Sequence, residues 1–238
     1  MMPVRIERTD THLTVTLNRP QKLNAFSADL IEQLIAVFDQ AASEDVPLVA
    51  LRGEGRCFSA GFDMGDVGRY SDGDLLLRFV RIETLLQRVA AFPGLTLALV
   101  HGRNFGAGVD LIAACKLRIA APDATFRMPG LKFDLVLGTR RFASIVGVTT
   151  ARRLLETSAT FTAPEAASMG FIESVSTIEQ WPAAIAQAVD RSAGLSKRAR
   201  AGLHEALHRE MDDADLAALV RSASEPGLGE RIASYLGG

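Results

Sequence analysis

With 238 residues, of which 48% are hydrophobic and 23% charged, the chain can bury one sizeable core and reads as one main globular domain. A formal net charge of -2 gives no general field for attracting nucleic acid or an anionic membrane, so an anionic ligand must be held by a local site. Met1 to Arg5 lead into no apolar signal core, and the strongest apolar run, Leu95 to Val100, is too short to span a bilayer, which places the protein in the cytoplasm. Cys57 and Cys115 lack CxxC spacing and read as buried, reduced thiols.

Along the chain, Leu13, Val15 and Leu17 alternate with Thr14 and Thr16, the pattern of a strand with one buried face, which Asn18-Arg19-Pro20 ends. Ser27 can then cap a helix whose apolar side is Leu30, Leu34, Val37, Phe38 and Ala41. Leu48 to Leu51 and Leu95 to Val100 read as buried strands flanking a helix from Leu75 to Ala91. Short strands are expected at Leu117 to Ala120, Ala124 to Met128 and Phe171 to Val175, and a helix at Thr139 to Val146. The alternation implies an α/β core over 1–178, and the Ala- and charge-rich remainder, 179–238, reads as a helical C-terminal subdomain with breaks at Gly194 and Gly202.

Phe58-Ser59-Ala60-Gly61-Phe62-Asp63 and Phe105-Gly106-Ala107-Gly108-Val109-Asp110 repeat one pattern, each after a buried strand. Their small residues allow tight turns in which backbone amides approach a ligand, with helix-compatible residues following. Unpaired amides at a helix start attract negative charge, so two such turns could grip one oxygen of an enolate or tetrahedral intermediate.

These segments resemble the paired signatures of the enoyl-CoA hydratase/isomerase (crotonase) family. Asn18-Arg19-Pro20 with Leu23-Asn24-Ala25-Phe26 is similar to the family's N-terminal signature, and Gly138-Thr139 to Gly147 and Thr162 to Gly170 match later segments in order. The resemblance implies a crotonase-like (ClpP/crotonase) spiral of β-β-α repeats with a helical C-terminal subdomain, an acyl-CoA thioester as substrate, and no cofactor or metal. It further implies a homotrimer or hexamer, with neither nucleic acid nor membrane as a partner. The Phe62 and Ala107 amides would form the oxyanion hole, and Lys22, Leu23, Ala25, Ala60, Gly61, Asp63, Met64 and Gly106 would line the path of the substrate and its CoA. Hydratases of the family use two glutamates; here the first position is Asp110 and the second Gly130, which puts standard hydration in doubt. Asp134, in a Phe133-Asp134 pair resembling one in the dihydroxynaphthoyl-CoA synthase branch, could be the base in place of Asp110. Asn104 occupies a usually apolar place, which implies a polar patch in the acyl pocket.

The implied activity is enoyl-CoA hydration or isomerisation. The alternatives are another acyl-CoA lyase or hydrolase, a non-catalytic acyl-CoA-binding protein, and, remotely, a zinc peptidase on His204-Glu205-Ala206-Leu207-His208 with Glu225 as third ligand. The basic pairs Arg140-Arg141 and Arg152-Arg153, with Lys197-Arg198 and Arg200, read as solvated helix faces.

Overall fold

The alternation at Leu13 to Leu17 does make a strand, but neither face of it meets water. The computed structural model describes residues 2–65, 67–207 and 212–237, apart from the side chains of His204 and Glu205. In it β1 (Val4–Arg8) and β2 (Leu13–Leu17) form an antiparallel ribbon with Ile6 opposite Val15. All of β2 is buried, against the one-sided strand expected, because Arg52 reaches across and donates its Nε–H to Thr16 Oγ1 at 2.9 Å. The solvent-facing strand is instead β1, whose exposed Arg5 and Glu7 give the sheet a charged edge that discourages pairing with another chain.

The chain continues through α1 (Ala28–Ser43), β3 (Leu48–Gly53), α2 (Asp72–Ala90), β4 (Leu95–Val100), β5 (Arg103–Phe105), α3 (Ala107–Ala114), β6 (Leu117–Ala120) and β7 (Thr125–Arg127). It goes on through α4 (Thr139–Val146), α5 (Val148–Thr157), β8 (Phe161–Thr162), α6 (Ala163–Ser168) and β9 (Ser174–Val175). The main sheet has the order β1-β2-β3-β4-β6-β9 and is parallel from β2 onward, while β5, β7 and β8 form a smaller sheet beside it. Ser27 caps α1 by accepting from Leu30 N at 3.2 Å. α2 begins earlier than its apolar pattern suggests because Ser71 and Asp74 form a reciprocal capping box. β9 is shorter than the strand expected from Phe171, since Phe171 turns inward to pack on Phe126, Phe142 and Phe161.

Both faces of the parallel sheet are covered, which is why its strands read as unbroken apolar runs. Val49, Leu51, Ala98 and Val100 join Leu34, Phe38, Phe79 and Leu86 of α1 and α2 in the larger core. Leu48, Ala50, Leu97 and Leu99 face the other way, onto Trp181 and Ala188 of α7 (Trp181–Ala193). Each fully buried Leu or Phe contributes about 1.5–3 kcal/mol relative to exposure.

The rest of the described chain is helical, as expected: α8 (Lys197–Leu207), α9 (Asp212–Ala223) and α10 (Leu228–Gly237). Gly194 caps α7, but Gly202 lies inside α8 rather than breaking it. An interior glycine costs about 1 kcal/mol, which the surrounding Lys, Arg, Ala and Leu helix formers outweigh. α9 and α10 pack on α2, and α10 also covers the turn 130–133. His208 and the side chains of His204 and Glu205, which carry the zinc-peptidase pattern, lie outside the described residues. Among the described residues no group of three or more His, Cys, Asp or Glu could hold a metal, and no helix is long and apolar enough to cross a membrane.

Candidate active site

The two repeated segments lie side by side. Phe58 N donates to His101 O at 3.0 Å and Phe105 N to Ser59 O at 3.2 Å, so the loop after β3 runs along the β4–β5 connection. Only small residues allow this approach. A Cβ on Gly61, whose φ is +78°, would fall 2.3 Å from Phe105 O and 3.1 Å from Ala107 N, and one on Gly108 would fall 2.7 Å from Ser59 O. Asn104 fastens the same junction from below. Its side chain is buried, accepts from Ser59 N at 3.2 Å, and donates to Gly102 O at 3.0 Å and Thr125 O at 3.2 Å. It therefore serves the backbone and does not supply a polar patch to the cavity, whose lining excludes it.

The N-terminal signature clamps the first loop from its other side. Buried Asn24 donates to Glu54 O and Cys57 O, both at 2.9 Å, and its own carbonyl receives the Ser59 hydroxyl at 2.9 Å. Ala60 N donates to Leu23 O at 2.9 Å and Phe26 N to Gly61 O at 2.6 Å. These bonds leave the Phe62 amide over: among the described residues neither Phe62 N nor Ala107 N has a hydrogen-bond partner, and both residues line one cleft. The two turns differ in one respect from expectation. Ala107 opens α3, whereas Phe62 pairs with Phe26 in an isolated bridge and no helix starts there, so only the second amide has a helix dipole behind it.

The cleft measures about 570 Å³ out to its open mouth and is walled mainly by apolar side chains, among them Phe79, Met128, Phe133, Leu135, Leu137 and Leu155. Asp110, one turn into α3, is the carboxyl in that lining and is only 3% exposed. Burial pushes it well above the ordinary carboxylate range; the Arg141 charge pulls it back, and Glu83 and Asp215 push it further up. Its Oδ1 has no hydrogen-bond partner among the described residues and lies where a Cβ on Gly138 would come within 1.9 Å. Asp134 is placed differently. It caps the turn 130–133 in a left-handed conformation, its side chain is 75% exposed, and its Oδ2 is 3.9 Å from Arg231 Nη1. It does not line the cleft, though its neighbours Phe133 and Leu135 do.

Ala60, Met64 and Gly106 also line this cleft, whereas Ala25 is buried and does not line it. Asp63 is tied to Arg19 at 2.9 Å, and Arg19 also donates to Ala25 O. Burial would raise the Asp63 carboxyl, but the Arg19 hydrogen bond, the Gly65 N–H and the Arg19 and Arg78 charges together hold it below the usual range. Leu23 lines a second cleft that shares Phe105 with the first and carries Arg56 and Arg103; Lys22 is exposed on the turn 20–22. Cys57 and Cys115 are free and buried as expected, with burial pushing the Cys115 thiol up to about 12.

The family profile for enoyl-CoA hydratase/isomerase matches residues 7–224, which include both loops and the whole cleft lining. The chain belongs to this family. It is similar to a crystal structure from Bordetella parapertussis described as an enoyl-CoA hydratase/isomerase, at 55% identity and TM-score 0.99 over 100% of each chain. It is 31% identical over 191 residues to the enoyl-CoA hydratase echA6 of Mycobacterium bovis, covering 77% of this chain and 76% of that one. It is also 30% identical over 168 residues to a Delta(3,5)-Delta(2,4)-dienoyl-CoA isomerase of Dictyostelium discoideum, covering 63% of this chain and 57% of that one. The fold is therefore the crotonase fold, and the chain is a crotonase-family enzyme acting on acyl-CoA.

Two features of this crotonase site escaped the sequence pattern. The apolar wall of the cleft comes from residues scattered between Phe79 and Leu155, with no shared periodicity to mark them. Arg141, expected on a solvated face, is only 11% exposed and meets Glu83 Oε1 at 3.0 Å. Asp215 of α9 approaches it from the other side, a tertiary contact that a local charge pair does not reveal.

Proposed function

We propose that the protein moves a double bond within an enoyl-CoA thioester, with the Phe62 and Ala107 amides stabilising the enolate oxygen and Asp110 carrying the proton. Ionised Asp110 would take a proton from the carbon next to the thioester of a 3-enoyl-CoA, the electrons passing to the oxygen between the two amides. The same carboxyl would then return the proton to the far carbon of the resulting dienolate, giving the 2-enoyl isomer. One carboxyl serves both transfers, whereas addition of water is better served by two. Each amide contributes about 2.7–4 kcal/mol where charge develops on the oxygen.

The observation that carries this reading is that, among the described residues, one buried carboxyl and two unpartnered amides line the same apolar cleft; by the family resemblance, Gly130 stands where a second acid would be. A side chain at Gly130 is also refused by the backbone, since its Cβ would come 2.9 Å from Leu135 O. Asp134 stands in solvent beside Arg231, which favours Asp110 as the base. The CoA portion would leave past Met64, Ala60 and Leu23 toward Arg56 and Arg103, two cations that outnumber the one carboxylate, Asp123, in the second cleft and so favour an anionic ligand locally. Hydration is the second reading, favoured by the name of the Mycobacterium bovis relative.

A panel of saturated, 2-enoyl and 3-enoyl CoA thioesters, followed by mass and ultraviolet absorbance, tests the proposal. Conversion of 3-enoyl to 2-enoyl product without gain of water supports it. A gain of one water establishes hydration instead, and tight binding with no product would make the protein an acyl-CoA carrier.

A further inference from the structure

We propose that Glu83 is a positioning residue for Asp110: by tying up the Arg141 guanidinium it leaves the Asp110 carboxyl as the uncompensated acid of the cleft. The inference rests on the reading above only in supposing that Asp110 handles the proton. α2 supplies Glu83, 1% exposed; α4 supplies Arg141; and α9 supplies Asp215. Arg141 Nη2 is 3.0 Å from Glu83 Oε1 and 3.8 Å from Asp215 Oδ2, and Asp215 Oδ1 in turn meets the half-exposed Arg140 at 3.0 Å. Glu83 and Asp215 thus engage the two guanidiniums, and among the described residues neither arginine is ion-paired to the third carboxyl, Asp110.

Geometry selects which one. Glu83 has both Arg141 and the Gln87 amide, at 3.0 and 3.2 Å, and Asp215 has two arginines. Among the described residues Asp110 has neither an ion pair nor a hydrogen bond on Oδ1, and it rests against Gly138, the residue that caps α4 one turn before Arg141. The elements packed on α3 are α2, α4 and β5. The charged groups of α2 and α4 that act on Asp110 are Glu83 and Arg141, Asp215 reaches it from α9, and Arg103 of β5 is exposed at the second cleft.

Among the described residues Nη1 of Arg141 and Oε2 of Glu83 are buried without hydrogen-bond partners as well. With Glu83 in place, the shared guanidinium is spent, and the Asp110 carboxyl holds a proton more tightly than an ordinary carboxyl in a cleft walled mainly by apolar side chains. Such a carboxyl is a strong base once ionised, and it can return the proton it took before solvent exchanges it.

The test uses the full-length protein labelled with carbon-13 at the aspartate side-chain carboxyl, the Asp110 resonance being assigned by its loss in Asp110→Asn. Its pH titration is compared in wild type, Glu83→Gln, Glu83→Asp and Arg141→Met. Glu83→Gln keeps the size and hydrogen-bonding capacity of the side chain but frees the Arg141 charge, and the Asp110 midpoint should fall by about one pH unit or more. Glu83→Asp should restore it, and Arg141→Met should raise it. An unmoved midpoint in a folded Glu83→Gln protein overturns the inference, and that variant decides the matter alone if Arg141→Met does not fold. A shifted midpoint with full turnover in Asp110→Asn would support the charge network while overturning the proposed catalytic role of Asp110.

Discussion

Adding one methyl group at Gly61 tests the two-amide reading most directly. The residue has φ +78°, where an alanine is strained by about 1–2 kcal/mol. The new Cβ would also stand 2.3 Å from Phe105 O and 3.1 Å from Ala107 N. Relief of that contact requires the two loops to part by about 1 Å, and a misplacement of that size costs about 100-fold in rate. Complete loss of one oxyanion donor costs about 100- to 1,000-fold in kcat. Gly61→Ala should therefore lower kcat on the preferred enoyl-CoA by about 100-fold or more, with total strain of about 1–3 kcal/mol visible as a lower Tm. CoA-thioester affinity, measured by calorimetry, should change little because most of the cleft wall is untouched. Gly68→Ala is the control: among the described residues a Cβ there meets nothing within 4 Å. Gly61→Ala protein that turns over at the wild-type rate would refute the paired-amide account, whatever its stability.

Asp110→Asn should reduce turnover by about 100- to 10,000-fold, as loss of a general base does. Its stability effect has a definite sign. The folded Asp110 carboxyl sits above its unfolded value, so the stability it contributes is full below about pH 4 and is lost as pH rises toward the folded value. Melting-temperature differences should thus move in favour of the Asp110→Asn variant as the pH is raised from about 4 toward neutrality, and a flat difference would contradict the burial account. Phe171→Ala removes a fully buried ring that meets Phe126, Phe142 and Phe161 at 5.4, 5.3 and 5.7 Å, and urea unfolding should show a loss of about 3–5 kcal/mol. Gly130→Glu should fail to install hydratase activity and should destabilise the turn, because its Cβ would be 2.9 Å from Leu135 O; hydration of a 2-enoyl-CoA by this variant at a rate above wild type would show that the turn can yield.

Periodic and local features of this protein were legible in its sequence. The apolar runs at Leu48 and Leu95, the Ser27 cap and the repeated Phe-x-Ala-Gly-apolar-Asp segments depend on neighbours a few residues apart, so spacing alone exposes them.

Whatever depended on which elements meet was decided by the tertiary structure. Thr14 and Thr16 look solvent-facing until Arg52 and a second layer of structure cover them. Asn104 looks like a polar wall until its amide is seen to fasten three backbone segments. Asp134 and Asp110 are equivalent as letters, yet a left-handed turn leaves one in solvent while α3 drives the other into an apolar cleft. Arg141 carries the same charge on any helix face, but only the meeting of α2, α4 and α9 brings Glu83 and Asp215 to it. The sequence by itself determined an α/β core and the two tight turns, because both follow from short-range pattern, and it carried the ordered segments through which it resembles its family. The protonation and partners of the groups around them are long-range properties, since burial and Coulomb interactions depend on distances that only the folded chain sets.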